Sequence, residues 1–174
     1  MITIVRIIMV PFFLVILLTE MQNKEFFAFA IFVIAAVTDS IDGYVARKYN
    51  QVSDLGKFLD PMADKLLVAA ALIALVYLQE VETWVAAIII LREIFISAFR
   101  FYFLVNSASF SASILAKMKT TVQIVALALL IIYRKLPFAE QLGQLATVIL
   151  YVAVFLTVYS GAAYVIHFSR QPKK

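Results

Sequence analysis

Long apolar runs alternate with short polar breaks along this chain, and the breaks set its elements. Apolar runs cover about residues 2–19, 26–47, 57–79, 83–105, 114–133 and 142–168. A helix rises 1.5 Å per residue, so each run is long enough to cross a hydrocarbon layer of roughly 30 Å. The breaks read EMQNKE, KYNQVSDLG, QEVE, NSASFSAS and RKLPFAEQ, and the chain ends on the basic tail RQPKK. The expectation is an all-α integral membrane protein of six transmembrane helices, forming a single domain over residues 1–174. Pro11 inside the first run predicts a kink or a tilt. Pro61 suits the first turn of the third helix, with Asp60 as its cap. No segment repeats, and the DxxDG element occurs once, which argues against the duplicated halves of many transporters.

Composition strengthens this reading. Of 174 residues, 64% are hydrophobic and only 15% charged, and the mean hydropathy is +0.99, far from the range of soluble domains. Six helices leave no length for a separate soluble domain. Absence of cysteine excludes disulfides, thiolate metal sites and cysteine nucleophiles, so any metal must sit on oxygen ligands. The net charge of +4 comes from residues in short connections and the tail, a pattern of membrane topology rather than of nucleic-acid binding. The first run lacks a charged leader and a small-residue cleavage site, and is read as a retained helix.

Orientation follows from the basic residues. One set of connections carries Arg47, Lys48 and Lys57, then Arg100, Lys117 and Lys119, then the tail; the other carries Glu20, Lys24 and Glu25, then Glu80 and Glu82, then Arg134, Lys135 and Glu140. The positive-inside rule places the first set and both termini in the cytoplasm, with Arg134 and Lys135 as the one dissent. The protein is expected to be multi-pass in the cell membrane, with its active site facing the cytoplasm.

Candidate chemistry concentrates between Asp39 and Asp64. Four carboxylates, Asp39, Asp42, Asp60 and Asp64, stand beside apolar runs. A carboxylate at the bilayer centre costs roughly 2.5 to 3.5 kcal/mol, and less near the interface, so four of them require cations or water around them. Residues three or four apart share a helical face. Asp39 and Asp42 therefore face one way, as do Asp60 and Asp64, and the two pairs can converge across a helix–helix interface. Such an oxygen cluster suits Mg2+ or Mn2+. Gly43 and Ala46 keep their face low enough for a neighbouring helix or a flat ring, and Gly56 supplies backbone freedom. A metal on open carboxylates accepts phosphate oxygens, and one aspartate turned to an attacking hydroxyl can act as general base. A proton or cation pathway and a purely structural network stay open on these residues alone.

The same residues carry a family resemblance. Asp39, Asp42, Gly43, Ala46, Arg47, Gly56, Asp60 and Asp64 fill every position of DxxDGxxAR, eight residues, GxxxDxxxD. That pattern resembles the signature of the CDP-alcohol phosphotransferases. The resemblance implies a six-helix bundle of that type, transferring a substituted phosphoryl group from a CDP-linked donor to an alcohol with release of CMP. It implies Asp39, Asp42, Asp60 and Asp64 as metal ligands, with Asp64 sharing ligation or serving as the base. Asp39, Asp42, Gly43, Ala46, Arg47 and Gly56 would form the CDP-binding surface, with Gly43 and Ala46 against the cytidine and Arg47 on the diphosphate. A homodimer is implied as well.

The segments LREIFISAFR, AKMKTT and DPMADKLL are similar to the branch that uses CDP-diacylglycerol as donor and glycerol 3-phosphate as acceptor. Arg92, Arg100, Lys117 and Lys119 are then the candidates for the acceptor phosphate, arginine as a fork and lysine as a point charge. Inositol phosphate, serine or phosphatidylglycerol is the alternative acceptor. A divalent-cation transporter is the alternative class, though it has no need of Gly43, Ala46, Arg47 and Gly56 at this spacing. Relatives usually begin with a polar segment ahead of the Thr and Arg that stand here as Thr3 and Arg6, so an interfacial N-terminal helix is expected to be absent or much shortened.

Several residues carry two readings. Arg6 either snorkels to the interface or contacts a substrate phosphate. Lys117 and Lys119 either anchor a helix or serve the site, and two residues apart they cannot both face it squarely. Arg92 and Glu93 should face the bundle interior, as a structural pair or as site residues. Lys65 either tunes Asp64 or snorkels. His167 reads as interfacial, and Trp84, Tyr102 and Tyr133 as part of an interfacial aromatic belt.

Overall fold

A computed structural model describes the backbone of residues 2–48, 54–105 and 114–169, and the side-chain surroundings of residues 5–38, 65–98 and 118–162. Among these residues the chain is entirely helical: α1 (Ile2–Leu18), α2 (Lys24–Lys48), α3 (Asp54–Tyr77), α4 (Thr83–Val105), α5 (Ile114–Ile132), a 3-10 turn (Tyr133–Lys135) and α6 (Ala139–Ser169). The segments NSASFSAS and RQPKK, and the middle of KYNQVSDLG, lie outside the described residues.

Five helices begin and end close to where the apolar runs do; the start of α3 is the exception. It begins at Asp54, so Asp60 is not its cap, and Pro61 falls inside the helix rather than in its first turn. The apolar run marks the part of a helix that packs, whereas backbone hydrogen bonding continues into the polar residues ahead of it. Pro11 lies within α1.

Each helix contributes a stripe of apolar residues at helical spacing to one core. Ala28, Phe32 and Ala35 on α2, Ala71, Leu72 and Leu75 on α3, Val85 and Ile89 on α4, and Ala146, Leu150 and Ala153 on α6 are all buried. Phe13 of α1 meets Phe32 of α2 with ring centroids 5.8 Å apart. Repeated alanines bring the backbones close. α3 packs against α1, α2, α4 and α5, while α6 closes the bundle against α4 and α5.

The outward faces are apolar too. Val5, Ile8, Phe12 and Val15 on α1, Leu91 and Ile94 on α4, and Val148, Val152 and Phe155 on α6 all point away from the core. The span Ala139–Ala162, at mean hydropathy 2.0, is long and apolar enough to cross a membrane, and Val5–Leu18 and Lys65–Tyr77 are shorter apolar stretches.

The three connections Thr19–Asn23, Leu78–Glu82 and Tyr133–Phe138 lie at one end of the bundle. Each contains one residue with positive φ: Asn23 at 62°, Gln79 at 60° and Phe138 at 61°. After α3 the Glu80 N–H donates to the Leu75 carbonyl at 2.8 Å and the Gln79 N–H to the Val76 carbonyl at 3.0 Å, the bonding of a Schellman cap.

Candidate active site

The aspartates occupy the opposite end. Asp39 and Asp42 fall in the last turns of α2, and Asp60 and Asp64 in the second and third turns of α3, two helices that pack together. Gly43, Ala46 and Arg47 follow on α2, and Gly56 opens α3. The side chains of all eight signature residues, and of Arg100 and Lys117, lie outside the described residues. Among the described residues no group of three acidic or histidine side chains gathers.

A polar network begins one residue beyond Asp64. Lys65 of α3 donates to the Ser97 hydroxyl of α4, and Ser97 in turn donates to the Glu93 backbone carbonyl. The Glu93 carboxylate receives Lys119 of α5 on Oε1, and the same oxygen accepts from Arg92 Nη1 at 3.1 Å. Arg92 Nη2 donates to the Ser160 hydroxyl of α6 at 2.8 Å, and Ser160 donates to the Thr157 carbonyl at 3.1 Å. Three residues of α4, Arg92, Glu93 and Ser97, within about one and a half turns, thereby join α3, α5 and α6. Gly161 of α6 lies beside Arg92, where a Cβ would be in ordinary contact, 3.5 Å from Nε.

Adjacent positions on a helix diverge, yet Arg92 and Glu93 pair because both side chains are long enough to turn to one point. Lys119 is 3% exposed; it does not anchor α5 at a surface. Removing one partner of a buried ion pair costs roughly 3 to 5 kcal/mol, so Glu93 and Lys119 depend on each other. Gln123, one turn along α5 from Lys119, is also buried. Arg6 is 3% exposed and lies within the bundle, against the surface-anchoring reading. Lys65 is only partly exposed and reaches across to α4 rather than out to an interface.

Sequence reasoning singled out Arg92 and Lys119 but missed Ser97, Ser160 and Gln123. A serine on an apolar helix reads as a small packing residue, and no local pattern tells when its hydroxyl carries a cation. The spacing Arg92, Glu93, Ser97 was the available signal, since 93 and 97 share a face.

At the far end a second polar group closes the bundle. The Tyr133 hydroxyl donates to Glu80, Arg134 pairs with Glu80 and its Nε donates to the Tyr133 oxygen at 3.2 Å. Lys135 stands 3.7 Å from Glu25. Burial, and then the bond to Glu80, push the Tyr133 hydroxyl above its ordinary pKa. Two openings of about 510 and 540 Å³ share Glu80 and Thr147; both lie at this end, away from the aspartates. Trp84 stacks on Tyr151 there, 5.9 Å between centroids and 11° between planes, and donates to Glu82.

The family model for CDP-alcohol phosphatidyltransferase matches residues 1–159. The chain is 40% identical to a Bacillus subtilis protein over 94% of this chain and 90% of that one. It is 39% identical to one from Rickettsia bellii over 93% and 90%, and 40% identical to one from Haemophilus influenzae over 93% and 88%. All three relatives are named CDP-diacylglycerol–glycerol-3-phosphate 3-phosphatidyltransferase. With the full signature on α2 and α3 and a match of this extent, the chain belongs to the CDP-alcohol phosphatidyltransferase family.

Proposed function

We propose that this protein transfers the phosphatidyl group of CDP-diacylglycerol to the primary hydroxyl of glycerol 3-phosphate, forming phosphatidylglycerol phosphate and releasing CMP. The observation that carries this reading is the complete eight-position signature on two packed helices, in a chain about 40% identical over most of its length to relatives bearing that enzyme's name.

In this reading the acceptor oxygen attacks the phosphorus that bears diacylglycerol. The bond from that phosphorus to the oxygen of CMP breaks, and Asp64 takes the hydroxyl proton. Asp39, Asp42, Asp60 and Asp64 supply carboxylate oxygens for Mg2+ or Mn2+, which when bound neutralises charge on the diphosphate. Gly43 and Ala46 admit the cytidine, Arg47 meets the diphosphate, and Gly56 completes the CDP-binding surface. Arg92, Arg100, Lys117 and Lys119 serve the acceptor phosphate, and Arg6, buried on α1, is a further phosphate contact.

The bundle is placed in the cell membrane as six spans. Its outward apolar faces would be costly in water and suit lipid, and the basic connections support a cytoplasmic aspartate end. The lipid tails then leave between helices into the inner leaflet, and two copies form a homodimer.

Purified enzyme should release CMP from CDP-diacylglycerol with glycerol 3-phosphate in preference to inositol phosphate, serine or phosphatidylglycerol. Asp39→Asn and Asp60→Asn should each abolish release at any substrate concentration. Normal turnover in either variant would remove the aspartate assignment, and faster turnover with another alcohol would change the acceptor.

A further inference from the structure

We propose that Glu93 is a positioning residue of the acceptor pocket, holding the Lys119 ammonium and the Arg92 guanidinium on one oxygen so that the pair favours phosphomonoester acceptors over unphosphorylated polyols. The inference rests on the reading that the acceptor is a phosphomonoester, and deepens it.

The geometry is specific. Lys119 comes from α5 and Arg92 from α4, and both donate to Glu93 Oε1. Arg92 is fixed on its other side by Ser160 of α6, so its plane is set by two helices. Lys65 lies within Coulomb reach of Glu93 and of Lys119. Arg92 and Lys119 therefore share one carboxylate, leaving one positive charge in excess on this trio. A phosphomonoester carries about −1.5 to −2 near neutral pH and is drawn by that excess; a neutral polyol is not.

A carboxylate alone in an anion-binding region would repel the anion, but this one serves the lysine. An ammonium buried to the degree of Lys119 needs a counter-charge to stay ionised in place. Beside Arg92 and Lys65 it would otherwise be repelled. Glu93 supplies that charge with one oxygen, and an ammonium has three donors. Arg92 and Glu93 are partly open, at 16% and 18% exposure, while Lys119, bonded to the same carboxylate, is buried.

The test measures CMP release by purified wild type, Glu93→Gln, Glu93→Asp, Lys119→Met and the Glu93→Gln/Lys119→Met double variant, varying each substrate at saturating levels of the other. Glu93→Gln should raise KM for glycerol 3-phosphate tenfold or more and leave KM for CDP-diacylglycerol within about twofold. Glu93→Asp should recover most of the loss. Because Glu93 acts through Lys119, the double variant should lie within about twofold of Lys119→Met. Losses that multiply in the double variant, or a parallel rise in both KM values, would overturn the proposal. If Glu93→Gln does not fold, Lys119→Met decides, and a wild-type ratio of the two KM values in it counts against the role. Wild type that releases no CMP with glycerol 3-phosphate would fail the functional reading itself, a result separate from any Glu93 effect.

Discussion

Gly143 has no room for a methyl group: a Cβ there would come within 2.8 Å of the Tyr133 ring. Gly143→Ala must push that ring away and disturb its bond to Glu80, and overpacking of this kind costs about 1–3 kcal/mol. Thermal unfolding in detergent should show the loss, whereas Tyr133→Phe, which keeps the ring and removes only the hydroxyl, should cost about 1 kcal/mol. Because the folded pKa of Tyr133 is raised, its contribution is fully present below the ordinary tyrosine pKa and is lost as pH rises through the folded value. The difference between wild type and Tyr133→Phe should therefore shrink in strongly alkaline buffer. At this scale the sequence was informative about which residues are unusual and silent about what they touch. Arg92 and Lys119 stood out as charges within apolar runs, but their meeting on Glu93 depends on how α4 and α5 are rotated, which no local pattern records.

Helix ends show the reverse. Apolar runs located five of the six helices closely, because the length of a packing face is written into the chain. They misjudged the start of α3, where the helix extends through DLGK ahead of its apolar residues. They also gave no sign of the cap at its other end, where Gln79 takes the left-handed conformation that glycine usually fills. A side chain there costs roughly 1 kcal/mol, so Gln79→Gly should stabilise the bundle by up to about 1 kcal/mol. A raised unfolding temperature with unchanged CMP release is the expected outcome. A lowered one would mean that the Gln79 side chain, on the rim of the 510 Å³ opening, contributes more than its backbone strain removes.

For the molecule as a whole, the two ends differ in kind. One carries the aspartate signature and the Lys65–Ser97–Glu93–Lys119 network; the other is tied by three tight reversals and by Glu80, Tyr133 and Arg134. This polarity was legible in the sequence as a division of charge between alternate connections, apart from Arg134 and Lys135. Their pairing with Glu80 and Glu25 accounts for how the folded protein keeps two cations at that end, a contact between distant segments that hydropathy cannot reveal. Trp84, the one tryptophan in the chain, sits at the tied end. Its indole is thus a native optical marker of sidedness. In right-side-out vesicles, iodide added to the outer buffer should quench the indole emission while iodide trapped in the lumen should not. The opposite pattern would turn the aspartates outward, away from a nucleotide supply inside the cell.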